Sequence, residues 1–363
     1  MPSVGWGGGS GGDRGLQKVV VHVGAPKVAS TSIQSFLRRN AGGLREQGIY
    51  PLDALLMPVK PDGTSPMGPD LQFEAILDGA GSIQEKTSAL IEHYCGAFEA
   101  EARKARGGVI VWSAENLTRL SADRSILLAA FKEVSQRFDL EMLLYVRRPD
   151  LWLESYWKQF ALKIARESPA RWALRRAETG YPDFLAAARA WAEAVGRQRI
   201  AVRPVDPAAL WGDGLLLDFA ARLGATGLDC SLGSENRMLH PAFLGFCHRH
   251  ADLLFRGPHD IRLFDWAEAL GLFAKGDGRI LSPEVRRQVL ALLADNNRRL
   301  LTEFCPAEAP ALMPGWCPTS DRVEIPAADL EPPPSPGRLA ALERIAAWFL
   351  AQGLRAHGGL IKH

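Results

Sequence analysis

Three short stretches carry side chains whose types and spacing could do chemistry. In the first, Lys27 follows Gly24, Ala25 and Pro26 and precedes three successive hydroxyls, Ser30, Thr31 and Ser32. A mobile cation, hydroxyl donors and the free N–H groups of a helix start suit a cluster of anionic oxygens. An ordinary strand-to-helix turn with a capping serine is the competing reading. In the second, Ser155 follows Arg147 by eight residues. A guanidinium fork with a hydroxyl is a receptor for a second phosphate; a surface arginine and an unrelated helix serine are the alternative. The third offers Glu115, a carboxylate just beyond an expected strand end and able to act as a base. Glu115 could equally cap the next helix or pair with Lys27 or Arg147. Glu74 and Asp70 are weaker candidates for that proton transfer.

Other patterns are excluded or bland. The lysine stands three positions before the first hydroxyl, so the loop is not a Walker A motif, which sets lysine beside Ser or Thr. No HExxH and no Ser-His-Asp order occurs, and no GxGxxG follows an expected strand as a Rossmann fold requires. His248 and His250 are two apart on an expected helix and do not share a face, which argues against a metal site. His22 reads as a packed strand residue, Arg148 as an ion-pair partner, and Trp152 and Trp157 as packing residues. Lys275–Arg279 reads as a turn, with a basic loop closing over a nucleotide as the alternative.

The elements that must position these residues alternate between strand and helix. Strands are expected at 18–23, 109–113, 140–146 and 199–203. Helices are expected from Ser30 through Leu44, over 83–104, 123–137 and 181–195, and after Arg147-Arg148-Pro149-Asp150. Pro149 suits a first helical turn and Asp150 favours its dipole. The hydroxyls of Ser30–Ser32 are expected to cap their helix, while 53–70 reads as a surface loop. Alternation of this kind implies a parallel sheet covered by helices, with ligands outside the carboxyl ends of the strands. From Leu215 onward the pattern is helical: 215–223, 241–254, 260–273, 283–304 and 338–356. The expected organisation is a glycine-rich arm over 1–16, one α/β domain with helical insertions over 17–325, and a proline-rich linker with a C-terminal helix packed on the domain over 326–363.

The segment His22-Val23-Gly24-Ala25-Pro26-Lys27-Val28-Ala29-Ser30-Thr31-Ser32-Ile33-Gln34 resembles the 5′-phosphosulfate loop of sulfotransferases that use 3′-phosphoadenosine 5′-phosphosulfate (PAPS). Leu144–Tyr156 resembles that family's 3′-phosphate motif, with Arg147 and Ser155 at the characteristic separation. Arg203–Pro207, Asp218–Gly224 and Glu235–Leu239 resemble later segments of bacterial members, so the likeness covers about residues 18–305. The resemblance implies a fold related to P-loop nucleotide kinases, with PAPS as donor and no metal. It assigns Lys27, Ser30 and Thr31 to the 5′-phosphosulfate, within a loop that also includes Gly24, Pro26, Ala29 and Ser32. It assigns Arg147 and Ser155 to the 3′-phosphate. Lys27 and Glu115 become the catalytic residues, Lys27 neutralising charge on the bridging oxygen and Glu115 serving as base. The family loop carries Thr and Gly where this chain has Val28 and Ala29. Val28 removes a hydroxyl donor, and Ala29 disfavours positive φ, so the helix is expected to begin without a left-handed residue.

The chain has 363 residues, 47% of them hydrophobic, enough for a substantial core. With 43 basic and 41 acidic residues the net charge is +2, which argues against a nucleic-acid partner. No apolar run approaches the length of a membrane span. Five scattered cysteines and an N-terminus without a secretory pattern suggest a cytoplasmic protein. The expected activity is sulfuryl transfer to a small-molecule or glycan acceptor, tilted toward a carbohydrate hydroxyl. An ATP-dependent phosphotransferase of kinase type, or a non-catalytic nucleotide-binding protein on the same fold, are the alternatives.

Overall fold

The computed structural model describes residues 16–358 apart from 61, 63, 106, 116, 119–123, 232–237, 261, 274–277 and 319–335. The chain runs β1 (Lys18–Val23), α1 (Ser30–Arg39), α2 (Ala41–Glu46), β2 (Ile49–Leu52), α3 (Leu71–Asp78), α4 (Ile83–Ala105), β3 (Val109–Ala114) and α5 (Arg124–Arg137). It continues through β4 (Asp139–Val146), α6 (Pro149–Gln159), α7 (Pro169–Glu178), α8 (Phe184–Val195), β5 (Ile200–Pro204) and α9 (Leu215–Leu223). Then come α10 (Pro241–Arg249), α11 (Ala251–Leu254), α12 (Arg262–Leu270), α13 (Pro283–Leu292), α14 (Ala294–Phe304), α15 (Ala309–Trp316) and α16 (Pro336–Gly358). The described chain forms two compact units. The first comprises 16–148, 183–235 and 294–317; the second comprises 149–182, 236–293 and 318–358.

The first unit is α/β. Its five strands are all parallel, in the order β2-β3-β1-β4-β5, flanked by helices. Val19, Val20, Val21 and Val23 of β1 are all buried, as a central parallel strand covered on both faces requires. Side chains alternate across the sheet. Trp112 faces Tyr94 and Phe98 of α4, while its neighbour Ser113 faces His22, beside Phe219 of α9. Four of the strands lie where apolar runs place them. The fifth, β2, replaces an expected helix exit, and its Pro51 is accommodated because β2 is an edge strand.

The second unit is helical. Arg286 of α13 is buried and pairs with Asp150 (2.9 Å) and Glu154 of α6, and Lys158 bonds Glu154 and the Gly278 carbonyl (2.7 Å). Phe246, Trp266, Trp348 and Phe349 join α10, α12 and α16 through ring contacts of 5.6 to 6.4 Å. Trp152 and Trp157 are buried packing residues. His248 meets the Trp157 ring and the Ala165 carbonyl. Two expected continuous helices are each divided, 241–254 at His250 and 283–304 at Leu293. The glycine-rich arm, most of the 235–239 and 275–279 segments, and the proline-rich linker lie outside the described residues. Among the described residues no helix is long and apolar enough to cross a membrane. All five cysteines are free thiols.

Candidate functional site

The strand order places β1 between β3 and β4, with the β3-to-β4 connection crossing over it. In an open parallel sheet this reversal opens a crevice at the carboxyl edge. Three of the expected segments leave the sheet there: the loop after β1, Glu115 after β3, and Arg147 after β4. The first unit thus brings together Gly24–Ser32, Glu115 and Arg147.

Gly24 is the pivot. Its N–H donates to the Ala114 carbonyl at 2.8 Å, joining the exits of β1 and β3. A Cβ on Gly24 would stand 2.6 Å from that carbonyl oxygen, 2.7 Å from Ser30 Oγ and 2.9 Å from Glu115 Cα, so only glycine fits. The Gly24 carbonyl accepts from Thr118 Oγ1 at 3.0 Å, a tether that sequence reasoning missed because a lone loop threonine carries no periodic signal. Beyond it Val28 N–H bonds the Ala25 carbonyl, folding Ala25–Val28 into a turn.

The loop then departs from expectation. Lys27 and Ala29 both adopt left-handed backbone, at φ 63° and 69°. Ala29 is the residue expected to avoid it. Conformations of this kind in non-glycine residues persist where surrounding contacts over-determine them. Here Val28, between the two, is buried with its side chain in the core. The expected serine cap is also absent: α1 begins after Ala29, which supplies no side-chain bond to the helix. Ser30 Oγ is buried and instead donates to the Ala25 carbonyl at 3.3 Å, closing the loop. Thr31 is exposed and Ser32 half-buried. The first turn of α1 carries no acidic residue, whereas Arg38 and Arg39 sit at its other end. Its uncapped N-terminus therefore keeps its positive partial charge.

Lys27 and Arg147 are both half-buried, and Arg147 Nη1 donates to the Lys27 carbonyl at 3.4 Å. Burial pushes the Glu115 carboxyl above the ordinary carboxylate range, opposed by the Lys27 charge. A carboxylate so placed is a stronger base at neutral pH than a solvated one. Beneath the loop, His22 Nδ1 meets Ser113 Oγ at 2.8 Å, and complete burial lowers its pKa to about 3, keeping the ring neutral. His22 Nε2 has no hydrogen-bond partner. Further along the edge Arg203 is buried with Asp218 (2.7 Å) and Glu308, and Tyr145 donates to Asp218 at 2.7 Å.

Three further expected residues lie on α3 and α6, or cap α3. Asp70 caps α3 by accepting from Phe73 N–H and also accepts from the Tyr94 hydroxyl at 2.9 Å; it is fully buried. Glu74 lies in the first turn of α3. Ser155 is half-buried on α6 of the second unit. Among the described residues no group of three His, Cys, Asp or Glu side chains is arranged to hold a metal ion. Compared with known proteins, the chain matches no protein-family model and no curated protein.

Proposed function

We propose that the chain is a PAPS-dependent sulfotransferase, on a fold related to the P-loop nucleotide kinases, acting on a hydroxyl or amine acceptor such as a carbohydrate. The observation that carries this reading is the convergence of Lys27, an uncapped helix N-terminus, Arg147 and Glu115 on one sheet edge, at a loop whose pivot Gly24 admits no side chain. A helix start without a side-chain cap presents its first-turn N–H groups to an anion.

On this reading Lys27, the first-turn N–H groups of α1 and Thr31 hold the 5′-phosphosulfate, and Ser30 keeps the loop closed around it. Arg147 meets the 3′-phosphate. Glu115 takes the acceptor's proton as the acceptor oxygen forms its bond to sulfur. The bond between sulfur and the bridging oxygen breaks, and adenosine 3′,5′-bisphosphate departs with the electron pair. Lys27 neutralises charge growing on that oxygen, the kind of preorganised stabilisation that dominates group transfer of this class. No metal is part of the proposal, and the setting we propose is cytoplasmic.

Thermal unfolding with adenosine 3′,5′-bisphosphate and without metal tests it. At 100 times Kd a ligand specific for the folded state stabilises by about 2.7 kcal/mol, so a clear upward shift is expected. A shift with ATP and Mg²⁺ alone supports the kinase alternative. No shift with the bisphosphate at millimolar concentration overturns the reading. Binding without sulfuryl transfer across glycans, phenols, alcohols and amines indicates a non-catalytic nucleotide-binding protein.

A further inference from the structure

The loop after β1 and the exit of β4 are joined in the protein itself, because Arg147 Nη1 reaches the main-chain carbonyl of Lys27 at 3.4 Å. That carbonyl belongs to one of two left-handed, non-glycine residues, Lys27 and Ala29, which flank the buried Val28. Further tethers lie elsewhere in the loop: Thr118 holds the Gly24 carbonyl, and Val28 N–H and Ser30 Oγ both hold that of Ala25. Arg147 thus reaches the Lys27 peptide from another strand. A guanidinium has five donors in a planar fork. A donor at the Lys27 carbonyl therefore does not preclude the fork from also meeting an anion.

We propose that Arg147 is a positioning residue for Lys27: it straps the left-handed Lys27 peptide and so presets the loop, in addition to any contact it makes with ligand. The inference rests on the sulfotransferase reading for its ligand and on the loop geometry for its physics. Its consequence is specific. Arg147 should be felt by a nucleotide that has no 3′-phosphate for it to hold.

Calorimetric titration of wild type, Arg147→Ala, Lys27→Ala and the double variant with AMP and with adenosine 3′,5′-bisphosphate reads this out. Arg147→Ala is expected to weaken AMP about tenfold, the equivalent of one hydrogen bond, and the bisphosphate more. In the Lys27→Ala background the AMP effect should largely vanish, since the strap then has no ammonium to place. If Arg147→Ala weakens only the bisphosphate, the strap is overturned and the sulfotransferase reading stands. If wild type binds neither nucleotide, the sulfotransferase reading falls, and a ligand-free measurement decides the strap. Hydrogen exchange at the amides of Lys27–Thr31 should quicken several-fold in Arg147→Ala. That quickening should shrink when Ala29→Gly is also present, because glycine takes positive φ without cost. Equal exchange in wild type and Arg147→Ala overturns the proposal whatever the ligands do.

Discussion

Glu115 is where the proposed chemistry is most exposed to test. A base works only when deprotonated, so turnover should rise with pH through the Glu115 pKa, which burial holds above the usual carboxylate range. Glu115→Gln is expected to lower kcat roughly 10²–10⁴-fold, the usual worth of a general base, and to abolish that acidic limb while leaving bisphosphate binding in place. Lys27→Met removes the charge that opposes the shift, so the limb should move to higher pH. A pH–rate profile unchanged in Glu115→Gln would remove Glu115 from the mechanism. At this scale the residues that meet at the sheet edge are readable because lysine, arginine and carboxylate beside strand ends are conspicuous. Backbone state is not. The left-handed turn at Ala29 and the inward hydroxyl of Ser30 follow from how α1 and Val28 pack, which no short window of sequence encodes.

Among the elements, long apolar runs specified four strands, because a strand buried on both faces needs little but β-branched and aliphatic residues. The four-residue β2 escaped because Pro51 argues against a strand unless the strand is known to be an edge. Divided helices escaped too, since the apolar period runs on through His250 and Leu293 while the backbone turns. Buried charge was equally hidden. Arg203 of β5, read as part of a family segment, is held against Asp218 of α9 and Glu308, and Asp218 also accepts from Tyr145 of β4 and the Trp211 N–H. This network fixes α9 to the edge of the sheet. Breaking a buried pair by removing one partner costs about 3–5 kcal/mol, because the other charge is left uncompensated. Arg203→Met should therefore lower stability by that order in denaturant titration. Adding Asp218→Asn, which removes one orphaned charge, should recover part of the loss. A single variant within about 0.5 kcal/mol of wild type would show that the network contributes little.

Over the whole molecule, a net charge of +2 suggested no polyanion partner, yet cations and a helix N-terminus concentrate at one sheet edge. Net charge averages over a surface; an anion site needs only a few local donors. Chain organisation shows the same gap between sequence order and spatial grouping. The second unit draws on three separate stretches, and its last, α16, begins at Pro336, after the first unit has received its final residues from α15. The aromatic cluster of the second unit depends on that last stretch: Phe349 stacks on Phe246 of α10 at 5.6 Å and meets Trp266 of α12 at 5.6 Å, with Trp348 alongside. Aromatic pairs of this geometry add about 0.5–1.5 kcal/mol each beyond area burial. A chain ending at Cys317 should consequently lose hydrogen-exchange protection in α10 and α12 and expose Phe246 and Trp266 to solvent, seen as a red-shifted tryptophan emission. The sheet of the first unit, which contains no residue beyond Cys317, should keep its slowest-exchanging amides in β1 and β4. Full protection of α10 and α12 in the truncated chain would mean that α16 adds nothing to the second unit's core. Global loss of protection, β1 and β4 included, would instead mean that the first unit's fold depends on residues outside it.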